Sequence, residues 1–334
     1  MKQKILLLFC GGTIIMTENQ RGSLVPMDKE SALHSLFEIE PRLTDLAEID
    51  LSYIANVDST EMTPETWDEI SEEIYRKYDS YDGFVITHGT DTMAYTASAL
   101  SFSLKNLGKP VVLTGAQIPG KKIASDGRAN IINAVRLAKM DISGIYVLFG
   151  EKIILGARSS KVSHIRLQAF SSINAPACGE ITSEILLQEG IVKRHKESPS
   201  LECGFDPRII VVSLTPGLPS QVFINLLEGP IHGIVLIAYG SGNIPTEYLP
   251  FLEKAYQKQI HVVIRTQCLE GATKMHLYES GRMALQYHVI EAFDMSLEST
   301  ITKFMWALKR RKSHKDIKLL MHQNFVGEIQ EQKN

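Results

Sequence analysis

Cysteine is scarce and scattered. Cys10, Cys178, Cys203 and Cys268 stand singly along 334 residues, with no CxxC pair to seed a zinc site or a redox couple. Free buried thiols in a reducing compartment are the reading that remains. The ten histidines form no HExxH-like cluster, so neither a metal nor an organic cofactor is expected. Phosphate-cradling signatures are missing as well: there is no GxGxxG with an acidic residue about 20 positions on, and no GK[ST] follows Gly11-Gly12.

Neither sign of charge dominates. Lys and Arg number 35 against 38 Asp and Glu, a formal net charge of -3 that offers no broad attraction to nucleic acid or anionic lipid. No stretch approaches the ~18 consecutive apolar residues that would cross a bilayer. The opening MKQKILLLFCGG has the basic tip and apolar run of a secretory signal. The run is very short, however, and leads straight into the segment argued below to carry chemistry. It is therefore expected to be retained, and the chain to act in the cytoplasm. No repeat of fixed period and no low-complexity tract is found.

What is present is an α/β alternation. At 334 residues the chain exceeds the ~250 to 300 at which one core usually stops growing, so two domains are expected. GFVITH (83–88), PVVLTG (110–115), GIYVLFG (144–150), RIIVVSL (208–214), GIVLIAY (233–239) and HVVIRT (261–266) are near-continuous apolar runs. Such runs are expected of parallel strands buried on both faces. Thr63 caps and Pro64 opens a helix with Trp67, Ile70 and Ile74 on one face. Met93, Ala97, Leu100, Leu104 and Leu107 make a second stripe, stopped by Gly108 and Pro110. In 189–207 periodicity lapses and charge, serine and proline collect. The expected organisation is a larger N-terminal domain (1–188) with a mostly parallel sheet flanked by helices, a linker (189–207), and a smaller C-terminal α/β domain (208–334). The basic run from Lys309 to Lys318 is read as the solvated end of a helix beginning near Thr300.

Two strand ends could carry chemistry. ILLLFCGGTII leaves a strand through Gly11-Gly12-Thr13, and VITHGTDTM leaves another through His88-Gly89-Thr90-Asp91. In a parallel sheet both loops emerge at the carboxyl edge, where open α/β folds bind ligands. Thr90 and Asp91 fall at the N-terminus of the following helix, whose unpaired N–H groups favour an anion or a developing oxyanion. A threonine hydroxyl is a poor nucleophile without a neighbouring base or cation. LGARSSKVSH offers Lys161, after a strand ending near Ala157, although spacing alone leaves it equally a surface lysine.

Taken together, CGGTI, DSTEMTPETW, THGTDTMAYTASALSF, LTGAQIP, SDGRANIINAV, GARSSKV and AYGSGN resemble the bacterial-type L-asparaginases, and among them the cytoplasmic type I branch. The likeness runs from Ile5 to about Glu328. It implies that Thr13 attacks the side-chain amide and forms an acyl-enzyme, and that Thr90, Asp91 and Lys161 form a proton-handling triad in which Lys161 eases ionisation of Thr90. Backbone amides at Thr13 and Thr90 would stabilise the oxyanion. Substrate binding would fall to Gly12, Ser59, Thr60, Gly89, Asp91, Ala116 and Asn243. Ser59 and Thr60 would grip the α-carboxylate and Asp91 the α-ammonium, and the Ala116 carbonyl would face the leaving nitrogen. Asn243 would reach a neighbouring subunit's site, which implies a homodimer or a homotetramer of two such dimers. The implied substrate is L-asparagine, with no cofactor, nucleic acid or membrane involved.

The chain departs from the family pattern twice. The loop after GGTI normally carries a tyrosine that polarises the first threonine, whereas here RGSLVP places Ser23 and Leu24 there with one extra residue before Pro26. No tyrosine precedes Tyr53. Slow acylation is the expectation. Some type I members bind asparagine at an allosteric site through an arginine where Ala238 stands here, although Cys268 matches another residue near it. Three readings stay open: an asparagine amidohydrolase, the related archaeal subunit that frees ammonia from glutamine for tRNA-linked amidation, and a catalytically weak asparagine sensor. The second carries an extra N-terminal domain, while here GGTI begins at residue 11.

Overall fold

The computed structural model describes residues 2–15, 17–18, 24–25, 35, 38 and 40–330. They divide into two compact units, Met1–Ser172 with Pro176–Cys203, and Ile173–Ala175 with Gly204–Asn334.

In the first unit the apolar run becomes β1 (Lys4–Gly11). Its residues alternate between two cores: Ile5, Leu7 and Phe9 enter one, Leu6, Leu8 and Cys10 the other. A strand covered on both sides has no polar face, which is why the run lacks alternation. There follow α1 (Leu43–Leu46), β2 (Glu48–Val57), α2 (Pro64–Lys77), β3 (Gly83–Thr87), α3 (Met93–Ser103), β4 (Pro110–Thr114), α4 (Gly127–Ala138), β5 (Gly144–Phe149), β6 (Lys152–Leu155), β7 (Ser159–Lys161), β8 (Phe170–Ser172), β9 (Gly179–Ile181) and β10 (Ile185–Leu187). The eight-stranded sheet has the order β10-β9-β6-β5-β4-β3-β1-β2. From β5 to β2 all neighbours are parallel, and β6, β9 and β10 add antiparallel neighbours at one side.

Crossover hand matters for the site. The steps from β2 to β3, β3 to β4 and β4 to β5 all move the same way along the sheet. Ile70 and Ile74 of α2 and Met93, Ala97 and Leu100 of α3 pack on one face, whereas Ile131, Ala134 and Val135 of α4 pack on the other. The third crossover therefore has the opposite hand to the first two, and the strong preference for right-handed βαβ units marks it as left-handed. The chain leaving β4 must cross the carboxyl edge of the sheet to reach α4.

The second unit repeats the alternation with β11 (Ile209–Ser213), α5 (Ser220–Leu226), β12 (Gly233–Ala238), α6 (Leu249–Gln257), β13 (His261–Thr266), α7 (Glu279–Leu285), β14 (Ile290–Glu291), α8 (Leu297–Arg310) and α9 (His314–His322). Its strands form a parallel sheet in sequence order. The architecture is the expected one, a larger mostly parallel unit with helices on both faces followed by a smaller α/β unit.

Several local expectations need correction. β11 is apolar but not buried on both faces, because it is an edge strand with one neighbour, and Val211 is exposed. The α3 stripe stops at Ser103: Leu104–Lys105 pairs with Ser200–Leu201 instead, although Leu104 and Leu107 remain buried. Lys161 is itself a strand residue, since β6 ends at Leu155, Gly156–Arg158 forms a 3₁₀ turn and β7 begins at Ser159. The basic run does not end one helix. α8 stops at Arg310, Arg311 is extended, and Ser313 starts α9 by accepting from the Asp316 N–H. The four cysteines are all free, but only Cys10 is fully buried and Cys268 is exposed. Within 189–207, Arg194 spreads its guanidinium over the carbonyls of Asp82, Ala138 and Met140 in the first unit.

The second unit also encloses a charge pair. Lys303 of α8 lies 2.7 Å from Glu328, both side chains fully buried. The remaining Lys303 N–H groups reach the carbonyls of Met321 and Gln323, and Glu328 accepts from the N–H groups of Phe325 and Val326. A fully satisfied pair of this kind tolerates burial, but removing one partner strands the other charge. Glu328→Ala is expected to destabilise this unit by about 3 to 5 kcal/mol, read as a lowered urea midpoint.

Candidate active site

The site is assembled by backbone ends that touch. Gly11 and Gly12 close β1 with φ of +88° and +101°, a region that side chains disfavour. A Cβ on Gly11 would stand 2.5 Å from the Val57 carbonyl oxygen at the end of β2, and one on Gly12 would stand 2.6 Å from the His88 carbonyl carbon after β3. A Cβ on Gly115, after β4, would meet the His88 carbonyl oxygen at 2.3 Å, and one on Gly89 would meet Ser59 Oγ at 2.6 Å. None of these distances admits a side chain. The strand ends therefore converge on His88-Gly89, and Thr13, Ser59, Thr90 and Ala116 follow directly from them.

Each of these residues sits in a defined turn. Thr13 opens a 3₁₀ turn and is half-buried. Asp58 caps the turn of Ser59–Glu61 by accepting from both the N–H and the hydroxyl of Thr60, each at 2.9 Å. Ser59 is buried and its carbonyl accepts from Thr92 Oγ1 at 2.6 Å, while Thr60 is exposed. Thr90 and Asp91 stand one turn ahead of α3 rather than in its first turn, because Thr92 takes the N-cap place. Ala116 is fully buried.

Lys161 joins two of them. Its ammonium donates to Thr90 Oγ1 at 2.7 Å and to Asp91 Oδ1 at 2.6 Å. The lysine side chain is 14% exposed, the aspartate 60%. One ammonium thus links a nearly buried hydroxyl to a carboxylate that still faces outward, in a charge-assisted geometry stronger than a neutral bond. Asn243 belongs to the second unit, where it exchanges main-chain bonds with Tyr239 and accepts from Ser280 Oγ at 3.4 Å. Ser23 and Pro26 lie outside the described residues; the backbone of Leu24–Val25 pairs antiparallel with Thr17–Glu18.

Sequence reading passed over four residues here. Gln117 Oε1 lies 3.3 Å from Thr90 Oγ1. Asp126 accepts from the N–H groups of Gln117 and Ile118, all at 3.0 Å. Buried Asn130 donates to the Gly115 carbonyl at 2.9 Å and accepts from the Gly150 N–H. Ala116 is thereby held from both sides. His88, fully buried, is the fourth. Its Nδ1 is 2.7 Å from the Gly89 carbonyl oxygen, which can only accept, so Nδ1 carries the proton. Nε2 then accepts from Thr96 Oγ1 at 2.8 Å, and Thr96 Oγ1 accepts from the Trp67 indole at 3.1 Å. For Gln117 the signal was a polar side chain inside the mostly apolar LTGAQIP; Asp126 and Asn130 lie in the polar SDGRAN and His88 in THGTDTM, where pattern alone singles out none of them. Among the described residues no group of three or more His, Cys, Asp or Glu side chains is placed to hold a metal ion.

Comparison with known proteins bears on this geometry. Residues 4–193 match the family model described as "Asparaginase, N-terminal", and residues 208–321 the "Glutaminase/Asparaginase C-terminal domain". The chain belongs to the asparaginase family. It is 39% identical to an L-asparaginase of Thermococcus kodakarensis, over 98% of this chain and 99% of that one. It is 37% identical to L-asparaginase 1 of Escherichia coli, over 98% of each. The solved structure of L-asparaginase I from Vibrio cholerae superposes with a TM-score of 0.88 at 35% identity, over 99% of this chain and all of that one. The resemblance read from the sequence motifs is thus met across the whole family member. No helix among the described residues is long and apolar enough to cross a membrane.

Burial pulls the His88 pKa from 6.5 down to about 4. Between those two values the unfolded chain takes up a proton that the folded one does not, so stability is full above pH 6.5 and is lost as pH falls toward 4. The slope from this residue approaches about 1.4 kcal/mol per pH unit. His314 and His322, also lowered to about 4, add to the whole-chain effect. The His88 share is read as the difference in urea midpoints between the chain and His88→Gln from pH 7 to 4.5. The variant should show the flatter dependence.

Proposed function

We propose that the chain is an L-asparagine amidohydrolase that releases L-aspartate and ammonia through an acyl-threonine intermediate. Thr13 is the attacking hydroxyl. Its oxygen adds to the side-chain amide carbonyl, the C–N bond breaks as ammonia leaves with a proton, and water then hydrolyses the ester. The N–H groups of Thr13 and Thr90 face the developing oxyanion, typically a large catalytic contribution. Thr90, Lys161 and Asp91 move the protons. Ser59 and Thr60 receive the α-carboxylate, Asp91 the α-ammonium, and the Ala116 carbonyl the leaving nitrogen, with the Gly12 and Gly89 backbone beside the substrate. Asn243 completes the site of a neighbouring subunit in a homodimer or homotetramer. The setting is the cytoplasm, where four free thiols persist. No metal or organic cofactor enters the scheme.

The observation that carries this reading is the Lys161 ammonium bridging Thr90 Oγ1 and Asp91 Oδ1. A cation held against a hydroxyl lowers the cost of its ionisation, the activation that threonine lacks by itself. The direct test is ammonia release from asparagine at saturating concentration; a folded chain without turnover refutes the activity. Thr90→Val, similar in volume, should lower kcat by about 10² to 10⁴, and Lys161→Met comparably. The double variant should cost far less than the product of the two, since groups acting as a unit are not additive. A Thr90→Val loss below about tenfold contradicts the assigned role.

The loop supplies a second prediction. If no other phenol replaces the missing loop tyrosine at Thr13, acylation should be slow while ground-state binding through Ser59, Thr60 and Asp91 persists, giving a low kcat with a KM little changed. Ser23→Tyr or Leu24→Tyr, and separately deletion of one loop residue, should raise kcat. Turnover as fast as an ordinary asparaginase in the unmodified chain would refute this account of the loop.

A further inference from the structure

The Thr90 hydroxyl has two partners of fixed polarity. Gln117 Nε2 lies 3.3 Å from the Arg166 carbonyl oxygen, which can only accept, so the amide nitrogen faces Arg166 and the amide oxygen faces Thr90. An amide oxygen also only accepts. The Thr90 proton therefore points at Gln117, while the Lys161 ammonium donates to Thr90 Oγ1 from elsewhere at 2.7 Å. One lone pair of the hydroxyl is left to whatever enters the site.

We propose that Gln117 is a positioning residue for the reaction assigned above, on which this inference rests: it fixes the Thr90 hydroxyl rotor so that the proton is turned away and a lone pair is presented. Gln117 is itself held at both ends. Asp126 accepts its N–H with both oxygens at 3.0 Å, Asn130 Nδ2 steadies Asp126 at 3.2 Å, and Ser125 Oγ anchors the Ile118 carbonyl at 2.8 Å. The side-chain amide is tied to the Arg166 backbone, five residues beyond Lys161. Charged groups bonded at this contact are Lys161, with Asp91 beyond it, on one side and Asp126 behind the Gln117 backbone. Without Gln117 the hydroxyl samples its other staggered positions, and only part of the population presents its lone pair to an entering N–H or O–H donor.

Both Gln117 side-chain bonds are long at 3.3 Å, so the effect is that of a neutral bond rather than a charged one. Gln117→Met should lower kcat about three- to tenfold, with KM changed by less than about twofold. Gln117→Glu gives up the bond to the Arg166 carbonyl but keeps an acceptor at the same reach toward Thr90. It should recover most of kcat and move the pH profile of kcat to higher pH, because the added carboxylate opposes deprotonation nearby. Equal loss in both variants, or unchanged kcat and pH profile in Gln117→Met, overturns the proposal. Turnover of the unmodified chain is the reference for both, so a failure of the activity itself appears there and a failure of this inference only in the variants.

Discussion

Everything at the site depends on main chains approaching closer than any side chain permits. A Cβ on Gly12, Gly89 or Gly115 would lie under 3.0 Å from backbone or side-chain atoms of the neighbouring segment. Methyl groups there would have to push strand ends apart, and a reacting geometry tolerates little such movement. The glycines thus convert a sheet edge into a surface of main-chain amides, polar and rigid but without acid or base. Proton transfer has to be supplied from outside the sheet.

In the proposed reaction it comes from β7, a strand that among the described residues pairs with β8 alone and takes no part in the large sheet. From there Lys161 reaches across to the residues ahead of α3. The unequal exposure of its partners is informative. Thr90 is 7% exposed, and two of its hydroxyl's hydrogen bonds are made within the protein, to Gln117 and Lys161. Asp91 is open enough to accept a second cation while keeping the first. Buried ion pairs gain little net stability, so a pair half open to solvent makes better sense as chemistry than as structure.

Strands and helices were largely legible because burial on both faces leaves unbroken apolar runs and because glycine and proline mark their ends. β1, β3, β4, β5, β12 and β13 fall where those runs predict. What composition could not convey was exposure at a sheet edge, as in β11, or the break after Arg310, where a serine cap restarts a helix in the middle of a basic run. The hand of the crossover through α4 is equally invisible in a pattern, since it depends on which face a helix covers. At the site, Thr13, Thr90, Asp91 and Lys161 could be named from strand ends and motif likeness. The residues that hold them could not. Gln117, Asn130 and His88 each make two or three hydrogen bonds to main-chain, hydroxyl or carboxylate groups, and such partners are set by three-dimensional packing rather than by spacing.

Asp126 shows how the local rules bend to the site. An aspartate just before a helix ordinarily accepts from the first turn's N–H groups, and losing that cap costs about 0.5 to 2 kcal/mol. Asp126 occupies the position ahead of α4 with φ of -75° and ψ of -16°, and it makes no such bond. Its carboxylate turns back toward Gln117 and Ile118, while Ser125 Oγ accepts from the Gly127 N–H at 3.0 Å. A neighbour has taken over part of the capping so that the stronger acceptor can hold the loop. That loop is the one forced across the sheet edge by the left-handed crossover, and without an anchor its polar main chain would have no sheet partner there. The departure from helix-capping practice and the unusual hand of the crossover are therefore one adaptation, which places the Gln117 amide 3.3 Å from the Thr90 hydroxyl.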